Sequence, residues 1–121
     1  MKLILSGLIP LFHLIKTFSE ISDKYTSVIC DLWGCLHDGV TSFPEALKAL
    51  EDFKASNGKV ILVTNAPRPI ANVMSQIASL GIKEHHYDML LTSGDITSDY
   101  INIVCENKSN IFHIGGKRHH S

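Results

Sequence analysis

The segment Lys59-Val60-Ile61-Leu62-Val63-Thr64 constrains the fold of this chain more than any other. Its apolar residues occupy consecutive positions. A strand points successive side chains to opposite faces, so this one must bury both. Such a strand sits in the interior of a parallel sheet. The flanking segments agree. Tyr25 to Cys30 is short, apolar and β-rich, and ends at Asp31. Pro44 to Ser56 carries Ala46, Leu47, Leu50 and Phe53 on one helical face, and Asn57-Gly58 supplies a left-handed stop. Pro69 to Leu80, closed by Gly81, predicts a second helix, and Tyr87 to Thr92 a third strand. Asp95 to Glu106 predicts a third helix and Asn110 to Ile114 a fourth strand. The order βαβαβαβ implies an α/β fold, a partial doubly wound, Rossmann-like parallel sheet with right-handed crossovers.

Composition narrows the class. Apolar residues make up 45% and charged residues 19% of 121 positions, enough to form one core and too apolar for disorder. Eleven Lys and Arg against twelve Asp and Glu give a net charge of −1, which argues against an electrostatic nucleic-acid binder. The three cysteines, Cys30, Cys35 and Cys105, make neither a disulfide framework nor a Cys-x-x-Cys pair. A reducing cytoplasm is the expected setting.

The N-terminal run Leu3 to Phe12 follows Lys2 and is apolar, but it is too short for a bilayer span of about 20 residues, and no small-x-small cleavage site follows it. From Leu11 the spacing Leu11, Leu14, Ile15, Phe18, Ile21 is helical. Residues 1–24 are therefore expected to form an amphipathic helical extension packed on the domain, in preference to an export signal or membrane anchor.

In open parallel sheets ligands bind beyond the carboxyl ends of the strands. Those ends are Asp31, Thr64-Asn65, Thr92-Ser93-Gly94-Asp95 and Gly115-Gly116. A strand-end carboxylate such as Asp31 can attack phosphorus, and it can equally cap a turn. Thr64, Asn65 and the backbone before the Pro69-started helix offer an anion site, to which Arg68 adds charge. They also suit ordinary capping. Ser93 and Asp95 are expected to cap the third helix. His85-His86 is expected in a solvated loop, and Cys35 as a small packed thiol. His119-His120 and Lys117-Arg118 are too short to define a metal or nucleic-acid site.

Val28-Ile29-Cys30-Asp31-Leu32-Trp33-Gly34-Cys35-Leu36-His37-Asp38-Gly39 resembles the first motif of the haloacid dehalogenase superfamily. Val60-Ile61-Leu62-Val63-Thr64-Asn65-Ala66-Pro67-Arg68 resembles its second motif. With Thr92-Ser93-Gly94-Asp95 and Phe112-His113-Ile114-Gly115, the likeness to subclass IIA covers residues 25–115. It implies that these residues form the N-terminal half of the family's core, followed by a polar tail at 116–121. It implies a Mg²⁺-dependent phosphatase acting on a small phosphorylated metabolite. Asp31 would be the nucleophile. Its carboxylate and the Trp33 backbone carbonyl would ligate Mg²⁺. Thr64 with Asn65 would hold the phosphoryl oxygens, and Gly34 would allow close backbone passage.

Two departures stand out. The family's usual second Asp, the general acid and base, is here Trp33, whose indole cannot transfer the proton. His37 and Asp38 are the candidates to replace it; alternatively the substrate carries a good leaving group, as an acyl phosphate does. The family's downstream cap domain, Lys and further metal-binding acids also have no counterpart here, so a truncated enzyme is expected, with Tyr25 to Asp31 left as an unpaired apolar edge prone to self-association. The alternative is a catalytically inactive remnant that keeps an anion-binding pocket.

Overall fold

The computed structural model describes residues 14–105 together with Asn110, Phe112 and Ile114. Three strands form one sheet: β1 (Ser27–Asp31), β2 (Lys59–Thr64) and β3 (Met89–Thr92). The spatial order is β1-β2-β3 and both pairings are parallel, with Val28 opposite Val60, Cys30 opposite Leu62 and Leu62 opposite Leu90. The segment apolar on both faces is thus the central one, as its pattern requires. The helices are α1 (Pro44–Ala55), α2 (Ile70–Ser79) and α3 (Ser93–Val104).

Side-chain alternation sorts the sheet into two unlike faces. One face carries Val28, Cys30, Val60, Leu62 and Leu90. These meet Leu50 and Phe53 of α1 and Val73 and Ile77 of α2 in a single core cluster. Val60 and Leu62 are fully buried. The other face carries Ile29, Ile61, Val63, Met89 and Leu91, of which Ile29 is 69% exposed. α3 buries no residue and leaves Ile96, Tyr100, Ile103 and Val104 exposed. The sequence pattern predicts burial on both faces, and among the described residues one face is covered.

Helix ends follow local chemistry. Pro44 starts α1, and Asn57, at φ 66°, takes the left-handed conformation that ends it. Gly81, at φ 85°, closes the turn after α2.

The N-terminal extension differs from expectation. Where the spacing predicts a continuous amphipathic helix, residues 14–24 contain two one-turn 3-10 helices, Phe18–Glu20 and Ser22–Lys24. Glu20 Oε1 accepts the Thr17 N–H at 3.0 Å and the Lys16 N–H at 2.9 Å, which breaks any helix running through those residues. Within the described part, Phe18 meets Phe53 of α1 with ring centroids 5.3 Å apart. Residues 1–13 and the tail 116–121 lie outside the described residues. So does most of the expected fourth strand, of which Asn110, Phe112 and Ile114 are described and are in no regular element.

Candidate active site

β1 delivers Asp31 to its carboxyl end, where the side chain is solvent-accessible and Oδ1 accepts the Leu32 N–H at 2.8 Å. The loop that follows folds on itself. The Leu32 carbonyl accepts N–H groups from Cys35, Leu36 and His37 at 3.3, 2.9 and 3.3 Å, and Gly34 N–H donates to the His37 carbonyl at 2.8 Å. Buried Leu32 and Leu36 anchor this knot in the core. Gly34 sits at φ 78°, and a β-carbon there would meet nothing within 4 Å. Its requirement is therefore the left-handed backbone rather than the close passage expected from sequence. Gly39, at φ 95°, underlies the Trp33 indole, which would collide with any β-carbon there. Trp33 is 61% exposed and meets the His37 ring edge-on at 5.6 Å.

His37 and Asp38 differ sharply in their surroundings. His37 is buried, and its Nδ1 accepts the Gly39 N–H at 3.0 Å, which in the neutral ring leaves the proton on Nε2. The Asp38 carboxylate accepts N–H groups from Val40 and Thr41 at 2.8 and 2.7 Å, an Asx-type turn. Those backbone bonds from Thr41 and Val40 hold its carboxyl below the ordinary value of 3.8. A carboxyl so held is a poor proton donor at neutral pH.

The loop after β2 is built the other way, by contacts from elsewhere in the chain. Thr64 Oγ1 accepts the Ala66 N–H at 3.2 Å. The start of α3 then grips the loop from outside. Ser93 Oγ donates to the Asn65 carbonyl at 2.9 Å, and Gly94 N–H to the Ala66 carbonyl at 3.2 Å. Asp95 Oδ2 accepts the Ile70 N–H, at the first residue of α2, at 2.8 Å. A β-carbon on Gly94 would fall 2.6–2.8 Å from the Arg68 backbone. Ser93 and Asp95 were expected to cap α3. Instead Thr92 Oγ1 caps it, accepting the Asp95 N–H at 3.1 Å, while the Asp95 side chain serves α2.

The two loops enclose a cleft of about 440 Å³ at the carboxyl ends of β1 and β2. Asp31, Trp33, His37, Thr64, Asn65 and Arg68 all line it. Asp38 does not. Gln76 also lines the cleft and accepts a hydrogen bond from the Arg68 guanidinium. Sequence reading missed it, although it precedes core-facing Ile77 on α2 by one position. Burial pushes the neighbouring Cys30 thiol up to about 11, helped by Cys35 and Asp31, so it stays protonated and unreactive. Cys35, expected to be packed, is exposed. A second cleft, about 470 Å³, lies between the first 3-10 turn and α1 and contains no strand-end residue. Gly115-Gly116 lies outside the described residues.

The donor set fits a hard divalent cation in part. Asp31 offers a solvent-accessible carboxylate, and among the described residues no backbone N–H donates to the Trp33 carbonyl. Mg²⁺ takes about six oxygen ligands, so these two would leave the other positions to water or substrate.

The chain matches the family profile described as haloacid dehalogenase-like hydrolase over residues 28–121. It also matches the crystal structure of a hydrolase of the haloacid dehalogenase-like family from Brucella suis 1330, with 42% identity and a TM-score of 0.76. That match covers 88% of this chain and 38% of the Brucella chain, so this chain spans well under half of that protein's length. No curated protein matches it.

Proposed function

The chain belongs to the haloacid dehalogenase-like hydrolase family, and within it we propose a phosphatase site in which Asp31 attacks phosphorus. The observation that carries this reading is the shared cleft: Asp31, Thr64, Asn65 and Arg68 line one cavity although they come from the ends of two separate strands and the loop that follows the second. The Asp31 carboxylate oxygen forms a bond to phosphorus as the bond to the leaving oxygen breaks, giving an aspartyl-phosphate. Water then cleaves it and releases inorganic phosphate. The Thr64 hydroxyl and Asn65 amide orient the phosphoryl oxygens, and the Arg68 guanidinium supplies positive charge to them. Mg²⁺, held by Asp31 and the Trp33 carbonyl, would neutralise charge between the carboxylate and the phosphate.

Trp33 has no proton to give to a departing alkoxide. His37, which lines the cleft, is the better-placed substitute, and Asp38 is not. The substrate that suits such a site is a small phosphorylated metabolite whose leaving group needs no protonation, such as an acyl phosphate. The site would work in the cytoplasm, on a soluble metabolite, without nucleic acid or membrane.

The same indole favours a second reading, an anion-binding remnant without turnover. One experiment separates the two. With Mg²⁺ present, kcat/KM is measured for acetyl phosphate, 4-nitrophenyl phosphate and glycerol phosphate. A phosphatase lacking its acid favours the first two by roughly 10²–10⁴ over the third. Equal rates on all three show an acid at work and contradict the role given to Trp33. Saturable binding of inorganic phosphate with no turnover on any substrate establishes the remnant.

A further inference from the structure

At the opposite end of the sheet, where β3 is entered, a different cluster is assembled. Glu51 lies on α1, and His85 and His86 lie in the 3-10 turn Glu84–His86. Glu51 Oε1 is 3.3 Å from His85 Nε2 and 3.2 Å from His86 Nε2. The three ligand atoms all lie within 4.8 Å of one another. We propose that Glu51, His85 and His86 form a binding site for a borderline-soft divalent cation of the Zn²⁺ class, separate from the phosphoryl site.

Two simple readings compete: a cation site, or two histidines hydrogen-bonded to one carboxylate. Both contacts lie within hydrogen-bond reach, and the same spacing suits a cation: Zn²⁺ bonds of about 2.0–2.1 Å at tetrahedral angles put neighbouring ligand atoms about 3.3 Å apart. The ligand atoms of the two histidines lie within 4.8 Å of each other, and His85, whose side chain is 58% exposed, has room to adjust.

The surroundings of His86 supply the second half of the argument. Sequence reading expected this pair in a solvated loop, but His86 is 5% exposed. Its Nδ1 accepts the Lys83 N–H at 2.9 Å and also lies 3.1 Å from the Lys83 carbonyl oxygen. In the metal-free neutral ring the proton therefore sits on Nε2 and faces Glu51. A cation displaces it, and the ring then carries its proton on Nδ1, where the Lys83 carbonyl can accept it. A backbone carbonyl in this role is the usual partner of a metal-bound imidazole. Both sides of the site are already fastened together. Lys54 of α1 donates to the Tyr87 carbonyl at 2.7 Å and pairs with Asp88 at 3.2 Å. The ligands therefore need little ordering to bind. Two imidazoles and one carboxylate select Zn²⁺ over Mg²⁺, which prefers oxygen throughout. Three protein ligands leave a fourth position for water.

The test is calorimetric titration of the 121-residue chain with Zn²⁺, followed by Co²⁺ absorption to report coordination number. The expected result is one equivalent bound in four-coordinate geometry, insensitive to excess Mg²⁺. His86→Ala, His85→Ala and Glu51→Gln should each weaken Zn²⁺ binding by at least 10–100-fold, the loss typical of disturbing even an outer partner of a metal ligand. Because buried His86 also supports packing, the two more exposed positions carry the decision if His86→Ala fails to fold. A double His119→Ala/His120→Ala variant should bind as the parent does. Unchanged affinity in folded His85→Ala and Glu51→Gln proteins overturns the assignment. So does loss of binding in the tail variant, or a parent chain that binds no Zn²⁺.

Discussion

The two loops that enclose the cleft do similar work and are held by opposite means. The loop after β1 is self-contained: the Leu32 carbonyl gathers three N–H groups from within it, and Asp38 ties the Val40–Thr41 turn. The loop after β2 depends on residues from the start of α3, through Ser93 to Asn65, Gly94 to Ala66 and Asp95 to Ile70. The loop that follows Asp31 is therefore held by its own sequence, and the Asn65–Ala66 segment by a distant one. The phosphoryl-binding half of the site should be the half that fails when remote packing is disturbed.

Gly94→Ala offers the largest test of that contrast. Its β-carbon would press on backbone atoms of Arg68, which cannot rotate away. Overpacking of this kind costs about 1–3 kcal/mol, and the gain in helix propensity of about 1 kcal/mol offsets only part of it. The expected outcome is a lowered Tm and a raised KM for phosphate esters. Gly39→Ala is the matching change in the other loop. It meets a largely exposed indole at a left-handed position, which costs about 1–2 kcal/mol, and it should leave KM closer to the parent value. If Gly39→Ala raises KM more than Gly94→Ala does, the contrast between the loops is broken.

Asp95→Ala is the next test. It removes the acceptor for the first N–H of α2, a capping loss of about 0.5–2 kcal/mol. Thermal unfolding should show this destabilisation, and amide exchange should accelerate at Ile70 while Gly34 and Leu36 keep their protection. Equal acceleration in both loops would mean that they are held as one unit.

The smallest effect concerns pH. Backbone donors from Thr41 and Val40 keep the Asp38 carboxyl below 3.8 in the folded chain. A depressed carboxyl contributes stability that is fully present above its unfolded value and is lost as pH falls through the folded one. Asp38→Asn should remove that contribution where it exists, giving a small loss of stability at pH 7, a smaller one at pH 3, and a flatter acid limb below about pH 4. A loss at pH 3 as large as the loss at pH 7 would contradict this assignment.

The same contrast explains what sequence could disclose. β2 was legible because consecutive apolar residues admit few placements. The turn chemistry of the loop after β1 was not, since sequence reading assigned Gly34 a close passage and Asp38 a proton to donate, where the structure shows a left-handed backbone and an Asx-type turn. Nor were the roles of Ser93 and Asp95. Local capping rules assign such residues to their own helix, and nothing in the spacing announces a contact with Asn65 or Ile70. His86 was misjudged for a related reason: an isolated polar pair looks solvated until Glu51 and α1 are placed over it. The N-terminal spacing was helical, yet Glu20 captures the Lys16 and Thr17 N–H groups and ends any helix there. The apolar outer face, with Ile29, Met89 and Leu91 exposed, is equally unreadable from alternation alone, because alternation states which residues share a face and not whether anything covers it.

The central claim is that Asp31 is the residue that accepts the phosphoryl group, and a trapping experiment tests it most directly. The purified chain is incubated with Mg²⁺ and acetyl phosphate labelled in its phosphoryl group, quenched in acid and mapped by peptide mass analysis. The account predicts a hydroxylamine-sensitive phosphoryl adduct on the peptide containing Asp31, absent from Asp31→Asn and present in Thr64→Ala at reduced yield. A phosphoryl adduct on any other residue, or one that persists in Asp31→Asn, would contradict it.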